Sequence, residues 1–381
     1  MNKKVIIIAL FATLLCACSD RNGRTTLCDP MVIEGLEPTP DFWKVKPEEI
    51  IDICKNVKVG RSEIIAETPA GFPVYAYFYG KFDEPAPQTN WSASNSSDAV
   101  TSFMGDYDHP QTVMLLAGVH GSEPEGTAAA VNMIQMLETG KDFRGLTDTT
   151  FMNLASKYRL IIIPCANMDG RAVSPDHLRG QPYEVFRAAC QGTWKDGSLV
   201  GWKPSKRYFP LPLDKVSFPG GYPNSEGYNI QHDVTPGDMR TEEAKGICSL
   251  MSRWRVDAML NAHSCQYAPH MVAPSLINPQ RHIDRGCEIS DRIHEILLEE
   301  GLILKPRKKT VSKQETLNLS SAVNWCSGGF GLTLECSSSY DNIDKPKICY
   351  TFDQLMEPVF ISMNVIMESG LEKPLAVRET K

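Results

Sequence analysis

Hydrophobic and polar positions along the chain follow two periods. Thr112 to Ala117 (TVMLLA), Tyr158 to Pro164 (YRLIIIP), Asp257 to Ala262 (DAMLNA) and Gly331 to Cys336 (GLTLEC) are short, nearly continuous apolar runs. Such runs predict strands covered on both faces. Val74 to Tyr79 (VYAYFY) is rich in β-branched and aromatic residues and predicts another. Between them, Thr127 to Glu138, Glu242 to Trp254 and Arg281 to Glu300 carry apolar residues at helical spacing. Pro47 to Lys55 reads as a short helix with proline first and two acids in its opening turn, and Pro358 to Met367 as a closing helix that starts at its proline. Residues 83–111 form a Ser/Asn/Pro-rich loop, and residues 172–238 are irregular. Strands that alternate with helices predict an α/β fold, with a mixed, largely parallel central sheet and helices on both faces. No internal repeat and no linker divides it. The reading is one domain over residues 61–370, a tether and lead-in over 18–60, and a tail over 371–381.

The first twenty residues, MNKKVIIIALFATLLCACSD, break this pattern. Lys3 and Lys4 precede the uncharged run Val5 to Leu15, the layout of an export signal. The run is shorter than the ~20 apolar residues that span a bilayer. Leu15-Cys16-Ala17-Cys18 resembles a bacterial lipobox. That resemblance implies removal of residues 1–17 and a lipid on Cys18. The expected location is the bacterial cell envelope, on the periplasmic or surface face, with the N-terminal lipid as the sole membrane attachment. Removing two lysines leaves 37 basic and 46 acidic side chains, a net −9. Such a chain is a poor candidate for binding nucleic acid. Ten cysteines remain beyond Cys18, none in a C-x-x-C pair, so a cysteine zinc knuckle is not expected. Export permits disulfides, but the sequence does not fix a pairing.

The chemistry concentrates at strand ends. Ala117-Gly118-Val119-His120-Gly121-Ser122-Glu123 leaves one predicted strand and enters a helix, placing His120 and Glu123 three residues apart. Imidazole and carboxylate suit Zn²⁺. The DAMLNA strand ends at His263, and Glu335 lies within the last apolar run. In open α/β sheets, sites form outside the carboxyl ends of strands. A His₂Glu set leaves a metal position open for water, and a further carboxylate can then act as general base. Ser122 lies in G-S-E and does not form a serine-hydrolase elbow.

Taken together, HGSE (120–123), ANMDGR (166–171), LNAHS (260–264) and LTLE (332–335) resemble the zinc carboxypeptidases in order and separation. The resemblance covers about residues 60–370. It implies one Zn²⁺ per chain on His120, Glu123 and His263, with Glu335 as general acid and base. It also implies an arginine that stabilises the oxyanion, with Arg179 as first candidate and Arg171 and Arg187 behind it. The implied activity is hydrolysis of peptide bonds. A zinc-dependent deacylase of N-acyl amino acids is the close alternative, and a non-catalytic binding lipoprotein the more distant one. The family grips a substrate's terminal carboxylate with a G-x-D-x-N-R segment. Here Gly227-Tyr228-Asn229-Ile230-Gln231-His232-Asp233 takes that place, so Gln231 stands for the asparagine and His232 for the arginine. An imidazole lacks the bidentate fork of a guanidinium. Arg240 is the candidate to substitute from another angle.

Overall fold

The structure is a computed structural model that describes residues 24–83, 90–96, 110–306, 316–341 and 349–376. Cys18 and the export signal lie outside the described residues. Strands β1 (Arg61–Glu67), β2 (Pro73–Tyr79), β3 (Thr112–Ala117) and β4 (Arg159–Ile163) come first along the chain. They are followed by β5 (Thr193–Trp194), β6 (Val216–Phe218), β7 (Ala258–Gln266), β8 (His270–Val272) and β9 (Phe330–Ser337). Seven of them form one sheet in the order β1-β2-β4-β3-β7-β9-β8, while β5 and β6 form a separate ribbon. The four central strands β4, β3, β7 and β9 are parallel, and the outer pairings are antiparallel. The mixed α/β fold is therefore the one the alternating pattern predicts.

Two-residue periodicity sorts the strand side chains onto two cores. Val113, Leu115, Leu160, Ile162, Leu260 and Leu334 face one core, shared with the helices Pro124–Thr139, Gln280–Glu299 and Phe352–Glu372. Met114, Leu116, Ile161, Ile163 and Met259 face the other, shared with the helices Glu242–Trp254 and Leu319–Ser327. Because both faces are largely covered, the central runs are mostly apolar.

Several elements differ from the sequence reading. The closing helix begins at Phe352, where Thr351 Oγ1 accepts from Gln354 N at 3.3 Å and Gln354 Oε1 accepts from Thr351 N at 3.0 Å. Pro358 lies inside this helix. An interior proline costs roughly 3 kcal/mol, which burial of Leu355, Met356, Val359, Met363 and Ile366 offsets at roughly 1.5–3 kcal/mol each. Strand β1 was not legible because it is an edge strand with a half-exposed, charge-bearing pattern. His282, on the helix Gln280–Glu299, is buried beside Phe330, and burial pushes its pKa down to about 4. The lead-in also joins the domain: Trp43, Val45, Ile50 and Cys54 belong to the first core. No disulfide joins the nine cysteines resolved as free among the described residues.

Candidate active site

The turn after β3 is built from two mutually packed segments. Gly118 sits at φ +60°, where an L side chain is strained. A Cβ on Gly121 would stand 2.0 Å from Arg171 N, so only glycine allows the two turns to meet. Ala166 N and Asn167 N donate to the carbonyls of Ala117 and Gly118 at 3.0 and 2.8 Å. Buried Arg171 donates to Gly121 O at 2.7 Å and also to the Ser174 and Pro175 carbonyls. It braces the turn and so is committed to structure. Glu123 occupies the N-cap of the helix Pro124–Thr139, yet its carboxylate makes no cap bond. Instead it faces two imidazoles.

His263 lies within β7, whose ladder with β9 continues past it to Gln266 with a register shift; the expected strand end at Ala262 was too early. In that ladder His263 is paired with Glu335, and Ala262 with Ala117 across to β3. All four chemical groups therefore sit at the carboxyl ends of parallel strands. His120 Nδ1 is 3.0 Å from Glu123 Oε1, and His263 Nδ1 is 2.9 Å from Glu123 Oε2. Ser264 N donates to the same Oε2 at 3.1 Å. One ligand atom from each of His120, Glu123 and His263 lies within 4.8 Å of the others, and all three residues are buried. Burial alone would raise the Glu123 carboxyl, but the facing imidazoles hold it well below the usual range. Burial lowers His120; for His263 the opposing pull of Glu123 wins and raises it. Three lone-pair donors converging on one buried point is an arrangement that a divalent cation satisfies. The triad fits a zinc site of the His₂Glu kind.

The second nitrogen of His120 is also engaged. Its Nε2 donates to Asn229 Oδ1 at 3.2 Å, which leaves Nδ1 as the lone pair. Tyr222 stacks on the same ring at 3.9 Å and 14°. The signal for Asn229 was its place in the GYNIQHD segment, two residues before Gln231.

On β9, burial alternates, so Leu332, Leu334 and Cys336 face the core while Gly331, Thr333 and Glu335 face a cavity of about 200 Å³. Glu335 is thus a half-buried carboxylate turned toward an opening rather than one enclosed by apolar strands. His120, His263, Gln231 and His232 line the same cavity. Arg240 does not line it; its Nε pairs with Asp238 at 2.9 Å on an exposed loop. Arg179 is bound to the Tyr350 carbonyl and the Glu37 carboxylate, with Phe352 beneath its guanidinium. Arg187 lies over Tyr183. Among the described lining residues, the one lysine is Lys206, from the short helix Trp202–Arg207. It donates to His232 Nε2 and lies 4.4 Å over the Trp202 ring. Sequence reasoning missed it because the 172–238 stretch offers no period from which to place a side chain.

Residues 94–268 match the family model described as zinc carboxypeptidase, a span that contains His120, Glu123 and His263. No sequence among the curated proteins matches the chain. Among solved structures, the chain resembles a metallo-carboxypeptidase from Burkholderia cenocepacia (13% identity, TM-score 0.50, 84% of this chain and 66% of that one). It resembles a metallo-carboxypeptidase from Pseudomonas aeruginosa solved with (2-guanidinoethylmercapto)succinic acid (14%, 0.51, 85% and 68%). It also resembles thrombin activatable fibrinolysis inhibitor (13%, 0.53, 89% and 78%). The chain thus spans just under two thirds of the Burkholderia protein, and at these identities the likeness shows the fold. The sheet order, the buried His-Glu-His triad and the family match over residues 94–268 agree, and over that span the chain is similar to the zinc carboxypeptidases.

Proposed function

We propose that this protein hydrolyses amide bonds of peptides in the cavity beside His120, Glu123 and His263. The observation that carries the reading is the ladder pairing of His263 with Glu335, which sets a carboxylate beside the ligand triad at one sheet edge. Bound zinc supplies Lewis acidity at the scissile carbonyl. Glu335 accepts a proton from the attacking water and returns it to the departing nitrogen, so one residue serves both transfers and the proton balance closes. Gln231 and His232, in the place of an Asn-Arg pair, offer no guanidinium for a terminal carboxylate. Deacylation of N-acyl amino acids is the second reading that this departure favours.

The test is Glu335→Gln. Hydrolysis of a peptide library falls by ~10³–10⁴-fold, while zinc content stays near that of the unaltered protein. Product analysis separates released amino acids from released acyl groups. Wild-type protein that takes up no zinc, or a Glu335→Gln variant with full activity, removes the proposal.

The same proposal includes an N-terminal lipid on Cys18 and a place in the bacterial cell envelope, supported by the Leu15-Cys16-Ala17-Cys18 motif. Among the described residues, no helix is long and apolar enough to cross a membrane. Labelled fatty acid enters wild type but not Cys18→Ala; equal labelling of both overturns the assignment.

A further inference from the structure

The cavity in front of Glu335 carries an unusual set of donors. Asn261 Nδ2 donates to Gln231 Oε1 at 3.0 Å and to Ser320 Oγ at 3.2 Å. This occupies the Gln231 amide oxygen and leaves its NH₂ group over, on a residue that lines the cavity. Asn318 uses its Oδ1 to accept from Ser321 N at 2.9 Å, capping the helix Leu319–Ser327, and leaves its NH₂ over. Asn278 lines the same cavity, and its side chain makes no hydrogen bond among the described residues. Three amide groups with donors to spare thus line one space. Among the described lining residues, the sole acid is Glu335 and the sole lysine is Lys206.

We infer that this cavity selects a residue on the leaving side of the scissile bond whose side chain ends in a carbonyl oxygen, as an amide or a carboxylate. The inference rests on the peptidase reading above. Glu335 must reach the departing nitrogen, so the residue attached to that nitrogen lies along the same face of β9, over Thr333 and Gly331. A carbonyl oxygen there accepts from the spare NH₂ groups. An aliphatic side chain would displace their water and leave them unpaired, a loss that hydrogen-bonding sites exact from analogues lacking the group. A lysine side chain would meet further donors instead of acceptors, with Lys206 nearby.

The experiment uses zinc-loaded protein and a peptide panel that differs only in the leaving residue: Gln, Glu, Leu, Phe and Lys. Cleavage is measured with wild type, and binding by calorimetry with Glu335→Gln. Gln or Glu is expected to exceed Leu, Phe and Lys at least tenfold in both readouts, and their ratio separates amide from carboxylate recognition. Asn318→Asp keeps the capping oxygen while replacing the NH₂ donor with negative charge. It should cost the Glu peptide at least tenfold and favour the Lys peptide, with the fold intact. Asn278→Leu should narrow the preference without disturbing the cap. A panel led by Leu, Phe or Lys, an Asn318→Asp profile identical to wild type, or no binding of any member overturns the inference. Selective binding without cleavage would leave the pocket assignment standing and remove the peptidase reading. Cleavage without selectivity would do the reverse.

Discussion

Asn229 offers a direct probe of the candidate metal centre, because it touches His120 without belonging to the triad. Its Oδ1 holds His120 Nε2 at 3.2 Å and also accepts from Gln231 N at 3.2 Å. Asn229→Ala removes the acceptor and frees the imidazole to turn or to change tautomer. Loss of such a supporting bond typically costs about 10–100-fold in metal affinity, or about 1.4–2.7 kcal/mol. One restraint survives here, the Tyr222 stack at 3.9 Å. The expected loss is therefore near the lower end, about tenfold. Asn229→Asp keeps both acceptor contacts and adds charge. Charge-assisted bonds exceed neutral ones by roughly 1 kcal/mol, so zinc binding should tighten about fivefold. Competition against a fluorescent zinc chelator measures both, with circular dichroism to confirm equal folding. If Asn229→Ala binds zinc within about threefold of wild type, Asn229 does not orient His120 and the tautomer argument fails.

Three further outcomes follow from the geometry. Lys206 is exposed, so water screens any grip on a terminal carboxylate; amidating a good peptide should cost under ~10-fold, about 1.4 kcal/mol, and Lys206→Ala should bring that ratio close to one. A loss near a thousandfold on amidation would reveal a buried cation grip instead. Burial raises the Glu125 carboxyl to about 8, so the folded chain keeps a proton that the unfolded chain releases near 4.5. Stability then falls as pH rises between those values, by up to ~1.4 kcal/mol per unit; Glu125→Gln should flatten the slope of unfolding free energy against pH and gain about 1–3 kcal/mol at pH 8, and parallel slopes for the two proteins would refute this. Gly121→Ala drives a Cβ to 2.0 Å from Arg171 N and 2.1 Å from Gly170 C, both backbone atoms; it should destabilise by about 3 kcal/mol or more and lower zinc content in the same samples, whereas a wild-type melting temperature would show that the two turns yield easily.

The central sheet was legible because β3, β4, β7 and β9 are mostly buried and carry few polar residues. His120, Glu123, His263 and Glu335 were legible as polar residues at or within such runs. Edge strand β1 was not, since an exposed edge tolerates Arg61, Glu63 and Glu67 and so loses the alternating signal. The irregular stretch from 172 to 238 hid Asn229, Tyr222 and Lys206, which meet the site through turns whose course depends on glycines and long-range contacts rather than on a period. Arg171 shows a second limit. Its residue type suggested oxyanion chemistry, but its fixed carbonyl partners Gly121, Ser174 and Pro175 are visible only in three dimensions.

The pairing of His263 with Glu335 across β7 and β9 has a consequence for how function can be lost. A slip of one residue between these strands would turn Glu335 toward the core and bring Leu334 to the cleft. No intermediate register retains half of the site. Hydrolysis should therefore report on sheet registration as an all-or-none signal during refolding, rising only with the last strand to lock. The surrounding segments, which carry Lys206, Asn278 and Asn318, lie outside that ladder. Sequence drift can retune what the cleft accepts while the ladder keeps base and ligand in step.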